Sequence, residues 1–323
     1  MAFETTRRLA GIAAVAATIL LGGCSQRDGA ALAPGEYTVQ MPGGKVWYKI
    51  VGGGPGAPLV ILHGGPGAPS YYLKPFEALA DERAVIFYDQ LGAGRSEHTS
   101  DTTRWTIPHF VAELDSLRRV LGLWDFHLMG HSWGTMLAAE YAFTHPDSIK
   151  SLIFASPALS TARWLADADS LVKTLPRSLQ QAIARNEARS TFDAPEYQAA
   201  VGAFYERFLS RKLPWSADID STFNQLNTDL YGYMWGPSEF TATGTLRDFD
   251  ATGSLELLQV PALFTTGEFD EALPATVRYY ASLMPGSEVA VIAGAAHLTM
   301  QDNPEENIRV VREFLYRIDH QKQ

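Results

Sequence analysis

The sequence runs to 323 residues, 46% of them hydrophobic and 11% aromatic, which is enough to bury one large core and a subdomain. A formal net charge of -10 argues against nucleic acid as a partner and is compatible with cationic substrates or a solvated acidic surface. Cys24 is the only cysteine, so no internal disulfide can form and the core alone has to hold the fold.

Residues 1–24 place Arg7 and Arg8 ahead of the apolar stretch Leu9 to Leu21 and the small residues Gly22-Gly23-Cys24, the charge, core and cleavage order of an export signal. The apolar part is too short to span a bilayer comfortably as a permanent helix. Cys24 directly after Leu21-Gly22-Gly23 resembles the lipobox of bacterial lipoproteins. That resemblance implies lipidation of Cys24, a membrane anchor and an extracytoplasmic location. Ser25 rather than an aspartate implies the outer membrane in that family. An ordinary secretory signal is the alternative, and the arginine pair leaves twin-arginine export open. Residues 25–35 lack periodicity and read as a tether.

Glu36 to Gln40 and Val46 to Val51 flank Met41-Pro42-Gly43-Gly44 and predict a hairpin at a sheet edge. Continuous apolar runs follow at Leu59 to Leu62, Ala84 to Tyr88, Phe126 to Met129, Leu152 to Ala155, Ala262 to Thr265 and Val289 to Ile292, as in strands covered on both faces. Helix-period segments separate them. In Ile107 to Leu121 the residues Phe110, Leu114, Leu117 and Leu121 share a face, with Gly122 at the expected C-terminal stop. Asn303-Pro304-Glu305-Glu306 supplies the start of a last helix lined by Ile308, Val311, Leu315 and Ile318. The alternation predicts a mainly parallel α/β sheet over 36–157 and 244–323. Between them, 158–243 loses strand signals and turns helical and aromatic, as expected of a cap.

Within Gly130-His131-Ser132-Trp133-Gly134, between a strand and a helix signal, Ser132 sits on a tight elbow that exposes its oxygen as a nucleophile needs. Such a serine requires a base and a carboxylate to orient it. His297, in Gly294-Ala295-Ala296-His297 just beyond a strand, is the best placed of eight histidines. Asp270 follows the strand Ala262 to Thr265, with Glu268 and Glu271 as close rivals. The order Ser, Asp, His is that of the α/β-hydrolase fold. Oxyanion donors are expected from the backbone of Trp133 and of the loop His63-Gly64-Gly65-Pro66-Gly67, where Gly65 lets the chain approach a substrate. No metal cluster or phosphate loop is evident, so no cofactor is inferred.

His63-Gly64-Gly65-Pro66-Gly67, then Asp89-Gln90-Leu91-Gly92-Ala93-Gly94-Arg95-Ser96, then the elbow, in this order and spacing, resemble the proline iminopeptidase family of α/β-hydrolase serine peptidases. The resemblance runs from about Glu36 to Ile318 and is weakest in the cap. It implies removal of an N-terminal residue, often proline, from short peptides or small amides with a free N-terminus. It also implies Ser132, Asp270 and His297 as the triad, with Gly65 and Trp133 as oxyanion donors. Gly236-Pro237-Ser238-Glu239-Phe240 is similar to a stretch of the tricorn-interacting aminopeptidase branch whose glutamate holds the substrate's ammonium, which implies that role for Glu239. That family uses a second cap glutamate. Glu206, Asp218 and Asp220 are the candidates here, and an esterase or amide hydrolase without need of a free amine is the alternative, followed by a non-catalytic binding lipoprotein. Preferred N-terminal residue and oligomeric state are left open.

Overall fold

A computed structural model describes residues 32–321. The expected export signal, Cys24 and the tether as far as residue 31 lie outside the described residues. The hairpin forms from β1 (Gly35–Met41) and β2 (Gly44–Val51), antiparallel with Met41 opposite Gly44, and Gly43 takes a φ of 117° at the turn. Then come β3 (Gly56–Leu62), β4 (Arg83–Asp89), β5 (Phe126–His131), β6 (Ile149–Ala155), β7 (Ala262–Gly267) and β8 (Glu288–Ile292). All eight join one sheet in the order β1-β2-β4-β3-β5-β6-β7-β8, and every pairing from β4 to β8 is parallel. β2 meets β4 antiparallel.

The apolar runs are continuous because neighbouring residues of one strand feed two layers. Val60 and Leu62 pack with Phe110, Leu114 and Leu137 on one face, while Leu59 and Ile61 pack with Phe76, Val311 and Phe314 on the other. The first layer holds α1 (Ile107–Val120), α2 (Trp133–Thr144) and α8 (Pro274–Ser282), and the second holds the 3-10 segment Ser70–Leu79 and α10 (Pro304–His320). Each fully buried Leu or Phe contributes roughly 1.5–3 kcal/mol. β8 is the exception to burial, since as an edge strand it leaves Glu288 exposed and Val289 to Val291 half-buried.

The helix ends obey their sequence signals. Gly122 follows α1 with φ 65°, and the N–H groups of Gly122 and Leu123 close onto the carbonyls of Arg119 and Arg118. The side chain of Asn303 accepts from Glu306 N–H to start α10, with Pro304 at its first position.

Five helices intervene between β6 and β7: α3 (Thr161–Val172), α4 (Arg177–Arg189), α5 (Pro195–Phe208), α6 (Ala217–Asn224) and α7 (Thr228–Met234). They have a small core of their own around Leu171, Ile183, Tyr197, Phe204 and Phe208. One further turn, α9 (Thr299–Asp302), precedes α10. Among the described residues no helix is long and apolar enough to cross a membrane.

Candidate active site

Ser132 stands between β5 and α2 with φ 53° and ψ -122°, a conformation that L-residues adopt only under constraint. The constraint is close packing. A Cβ on Gly130 would lie 2.2 Å from the Gly134 carbonyl oxygen, and one on Gly134 would lie 2.5 Å from that of Leu62. Only glycine at both places lets α2 settle against β3 and β5, and that approach forces the serine out of the sheet. Among the described residues its hydroxyl has no hydrogen-bond partner, and it lines a cavity of about 460 Å³ together with His297.

Asp270 is fully buried and saturated with donors. Its Oδ2 accepts from Ser156 Oγ (2.7 Å), Gly267 N–H (3.0 Å) and Thr266 Oγ1 (3.1 Å), and its Oδ1 accepts from Ala272 N–H (2.9 Å) and from His297 Nδ1 (2.8 Å). Burial alone pushes this carboxyl up, but His297 and the donors outweigh it and hold the group below its ordinary value. With Nδ1 donating to Asp270, His297 Nε2 is the nitrogen left to act as base. The rival Glu268 is exposed and accepts from Gly294 N–H, bracing the His297 loop from outside.

Two further groups fix the histidine. Its backbone N–H donates to the Phe208 carbonyl (3.0 Å), and Leu298 N–H donates to Leu209 (2.8 Å), so the end of α5 lies along the loop. His131 Nε2–H donates to the His297 carbonyl (3.1 Å), while the Tyr72 hydroxyl donates to His131 Nδ1 (2.8 Å) and accepts Gly64 N–H (2.7 Å). Burial, then the neighbouring His297, pushes His131 down to about 3, so it stays neutral in this relay. Sequence reasoning preferred His297 to His131 and the other histidines, and missed Tyr72 and Ser156. Only the φ of 47° at Ser156, invisible in the sequence, marks that turn as special.

Gly65 and Trp133 both line the cavity beside Ser132. Gly64 N–H is taken by Tyr72, and Trp133 N–H opens α2, where no intrahelical acceptor exists. Gly65, at φ 104°, has no room for a side chain, since a Cβ would lie 2.6 Å from Ala68 N. Behind this loop, His63 Nε2 accepts Gln90 N–H (2.9 Å) and Trp133 Nε1–H donates to Gln90 Oε1 (2.9 Å). Asp89 receives Ser70 N–H (2.9 Å), Ser70 Oγ (2.7 Å) and Arg95 Nε (2.7 Å), and the Arg95 guanidinium stacks on Trp47. A side chain on Gly94 would come within 2.5 Å of Asp89 Oδ2. No residue of the Asp89–Ser96 string lines the cavity.

Glu239 does line it, half-buried, accepting from Trp164 Nε1 (2.9 Å) and Tyr231 OH (3.2 Å). Burial raises its carboxyl above the ordinary value despite His297 and these donors. The turn that carries it is tied down by Glu187 of α4, which accepts from Ser238 Oγ (2.7 Å) and Thr241 Oγ1 (2.5 Å).

The expected second carboxylate needs correcting. Glu206, Asp218 and Asp220 do not line the cavity: Glu206 and Asp220 are exposed and Asp218 is half-buried in the first turn of α6, because the acidic faces of these helices look outward. The second acid that lines the cavity is Glu271, weighed in the sequence only as a rival to Asp270. Adjacent side chains of this turn diverge, Asp270 toward His297 and Glu271 into the cavity. Glu271 is 2% exposed, and among the described residues neither of its oxygens has a hydrogen-bond partner. Burial, then Glu239 and Asp270, pushes its carboxyl well above the ordinary value. A buried and a half-buried acid facing one cavity can pair with a cation. Among the described residues no group of three or more His, Cys, Asp or Glu is arranged to hold a metal ion.

Fold and constellation together define a serine hydrolase of the α/β type, and the family model for the alpha/beta hydrolase fold matches residues 57–304. The chain is 44% identical to the proline iminopeptidase of Heyndrickxia coagulans over 284 residues, 87% of this chain and 98% of that one. It is 35% identical to that of Clostridium botulinum over 280 residues, 85% and 96% of the two chains. The crystal structure of the Mycobacterium smegmatis proline iminopeptidase matches with a TM-score of 0.82 and 34% identity, covering 88% of this chain and 99% of that one. The chain belongs to the proline iminopeptidase family of α/β hydrolases.

Proposed function

We propose that this protein is a serine aminopeptidase that releases an N-terminal residue, proline in the first instance, from short peptides. The observation that carries the reading is the pair Glu239 and Glu271 facing the cavity that Ser132 and His297 line. The substrate's ammonium binds between the two carboxylates, and this places the first peptide carbonyl over Ser132. The serine oxygen attacks that carbon as its proton passes to His297 Nε2, Asp270 stabilises the imidazolium at Nδ1, and the N–H groups of Gly65 and Trp133 receive the oxyanion. Collapse breaks the C–N bond, His297 returns the proton to the leaving amine, and water repeats the sequence on the acyl-enzyme.

The strands before and after the insert form the catalytic core, 36–157 and 244–323, and 158–243 acts as the cap that supplies Glu239. The sequence resemblance at Cys24 supports lipid anchoring on the extracytoplasmic side of a bacterial membrane, with the outer membrane as the destination. Loss of membrane fractionation in Cys24→Ser is the expected result there, and unchanged fractionation refutes the anchor. For the activity, a proline amide reporter is compared with its N-acetylated twin in wild type and in Ser132→Ala. Cleavage of the free amine alone, abolished in the variant, is expected. Equal cleavage of the acetylated twin reassigns the protein as a general acyl hydrolase.

A further inference from the structure

The leaving side of the cavity carries its own chemistry. The leaving amine has to lie beside His297, whose ring delivers its proton. The chain next to that ring is apolar: Leu298 follows it, and Leu209, hydrogen-bonded to Leu298 through the backbone, faces the same cavity. Ile219 and Phe223 of α6 extend this wall, with Ile219 buried and Phe223, 38% exposed, stacked on Trp215 at 5.5 Å. Among the described residues no lysine or arginine lines the cavity. Arg211, in the connector just beyond Leu209, lays its guanidinium on the Phe269 ring at 3.8 Å instead. The ionisable acids that do line it, Glu239 and Glu271, can only repel an anion.

Given the aminopeptidase reading above, on which this step rests, the geometry points to a specificity for the residue after the scissile bond. The enzyme favours peptides whose second residue is apolar and whose carboxyl group is masked, as an amide or by further chain, over free dipeptides. In a dipeptide the terminal carboxylate lies one residue beyond the leaving nitrogen, against Leu209, Leu298 and Phe223. There it has no cationic partner among the described residues and meets a carboxylate pair that a single ammonium neutralises only in part. An apolar side chain at the same place is removed from water by that wall.

The test measures kcat/KM for Pro-Phe amide, Pro-Ser amide, Pro-Phe with a free carboxylate, and N-acetyl-Pro-Phe amide. In wild type, Pro-Phe amide should exceed Pro-Ser amide by about tenfold and the free acid by about tenfold. Phe223→Lys, which brings a cation to a partly exposed position, should narrow the amide-to-acid ratio at least about threefold. Equal values for the three free-amine substrates in wild type overturn the inference and leave the aminopeptidase reading standing, and this arm needs no variant to fold. An unchanged ratio in folded Phe223→Lys overturns its electrostatic half. Cleavage of the acetylated peptide as fast as Pro-Phe amide overturns the aminopeptidase reading itself.

Discussion

Replacing Glu271 by Gln should weaken the enzyme toward free-amine substrates while making the protein harder to unfold. Glu271 is 2% exposed, lacks a hydrogen-bond partner among the described residues and shares its cavity with Glu239. Burial first, then the two neighbouring acids, raises its folded-state pKa above the ordinary 4.5. A carboxyl raised in this way contributes its full stability below the unfolded value and loses it as pH climbs through the folded one. Glutamine is neutral throughout and escapes that loss. Removing a buried, unpartnered polar charge is worth about 1–3 kcal/mol, and at roughly 2–4 °C per kcal/mol for a chain of this class the variant should melt about 2–12 °C higher at pH 8. At pH 4.5 and below the two proteins should melt nearly together. Activity moves the other way, because an ammonium deprived of one buried carboxylate loses about 2–4 kcal/mol, on the order of 10²-fold in kcat/KM for a proline arylamide. Calorimetry at both pH values, with rates on the arylamide and on a simple ester, checks both halves. A lower melting temperature at pH 8, or an equal loss on arylamide and ester, would refute the reasoning.

Asp270→Asn should reduce turnover by about 10⁴ with amide and ester alike, since the histidine tautomer is lost; steady-state rates near wild type would remove Asp270 from the triad. Glu187→Ala frees the turn anchored through Ser238 and Thr241, so KM for free-amine substrates should rise about tenfold with far less effect on esters, and parallel loss on both would mean a general structural role. Glu113 is buried beneath the Asp89–Ser96 string, where burial pushes its carboxyl up to about 8 although it accepts Leu91 N–H. Its contribution to stability is whole below about 4.5 and is lost as pH rises through about 8, so Glu113→Gln should flatten the fall in stability between those limits. Urea titrations with identical pH slopes for variant and wild type would exclude it.

The sheet was legible because a strand buried on both faces has to be continuously apolar, and Val60 with Leu62 and Leu59 with Ile61 divide between the two layers that make it so. Ser132, Asp270 and His297 were legible because each follows a strand, and strand ends converge on one rim. That Glu271 lines the cavity was not legible. Its neighbour Asp270 already accounted for the acid at that strand end, and sequence does not tell which way consecutive side chains of a turn diverge. Glu206, Asp218 and Asp220 misled for the complementary reason: an acid on a helix of the insert says nothing of face until the packing of that helix is known. Tyr72 and Ser156 left no trace either, since their work is done by hydroxyls contacting loops 59 and 114 residues away in sequence.

Asp89, Gln90, Gly94, Arg95 and Ser96 contact β2, the segment after β3 and the side chain of Trp133, yet none reaches the cavity. The most distinctive string in the sequence is therefore a piece of joinery. It fixes how the hairpin, the Gly65 loop and the elbow meet, whatever molecule enters afterwards. On the proposed aminopeptidase reading, a relative that keeps the string while exchanging Glu239 and Glu271 would inherit the same joint and bind different guests, the string setting the frame and the two glutamates the diet.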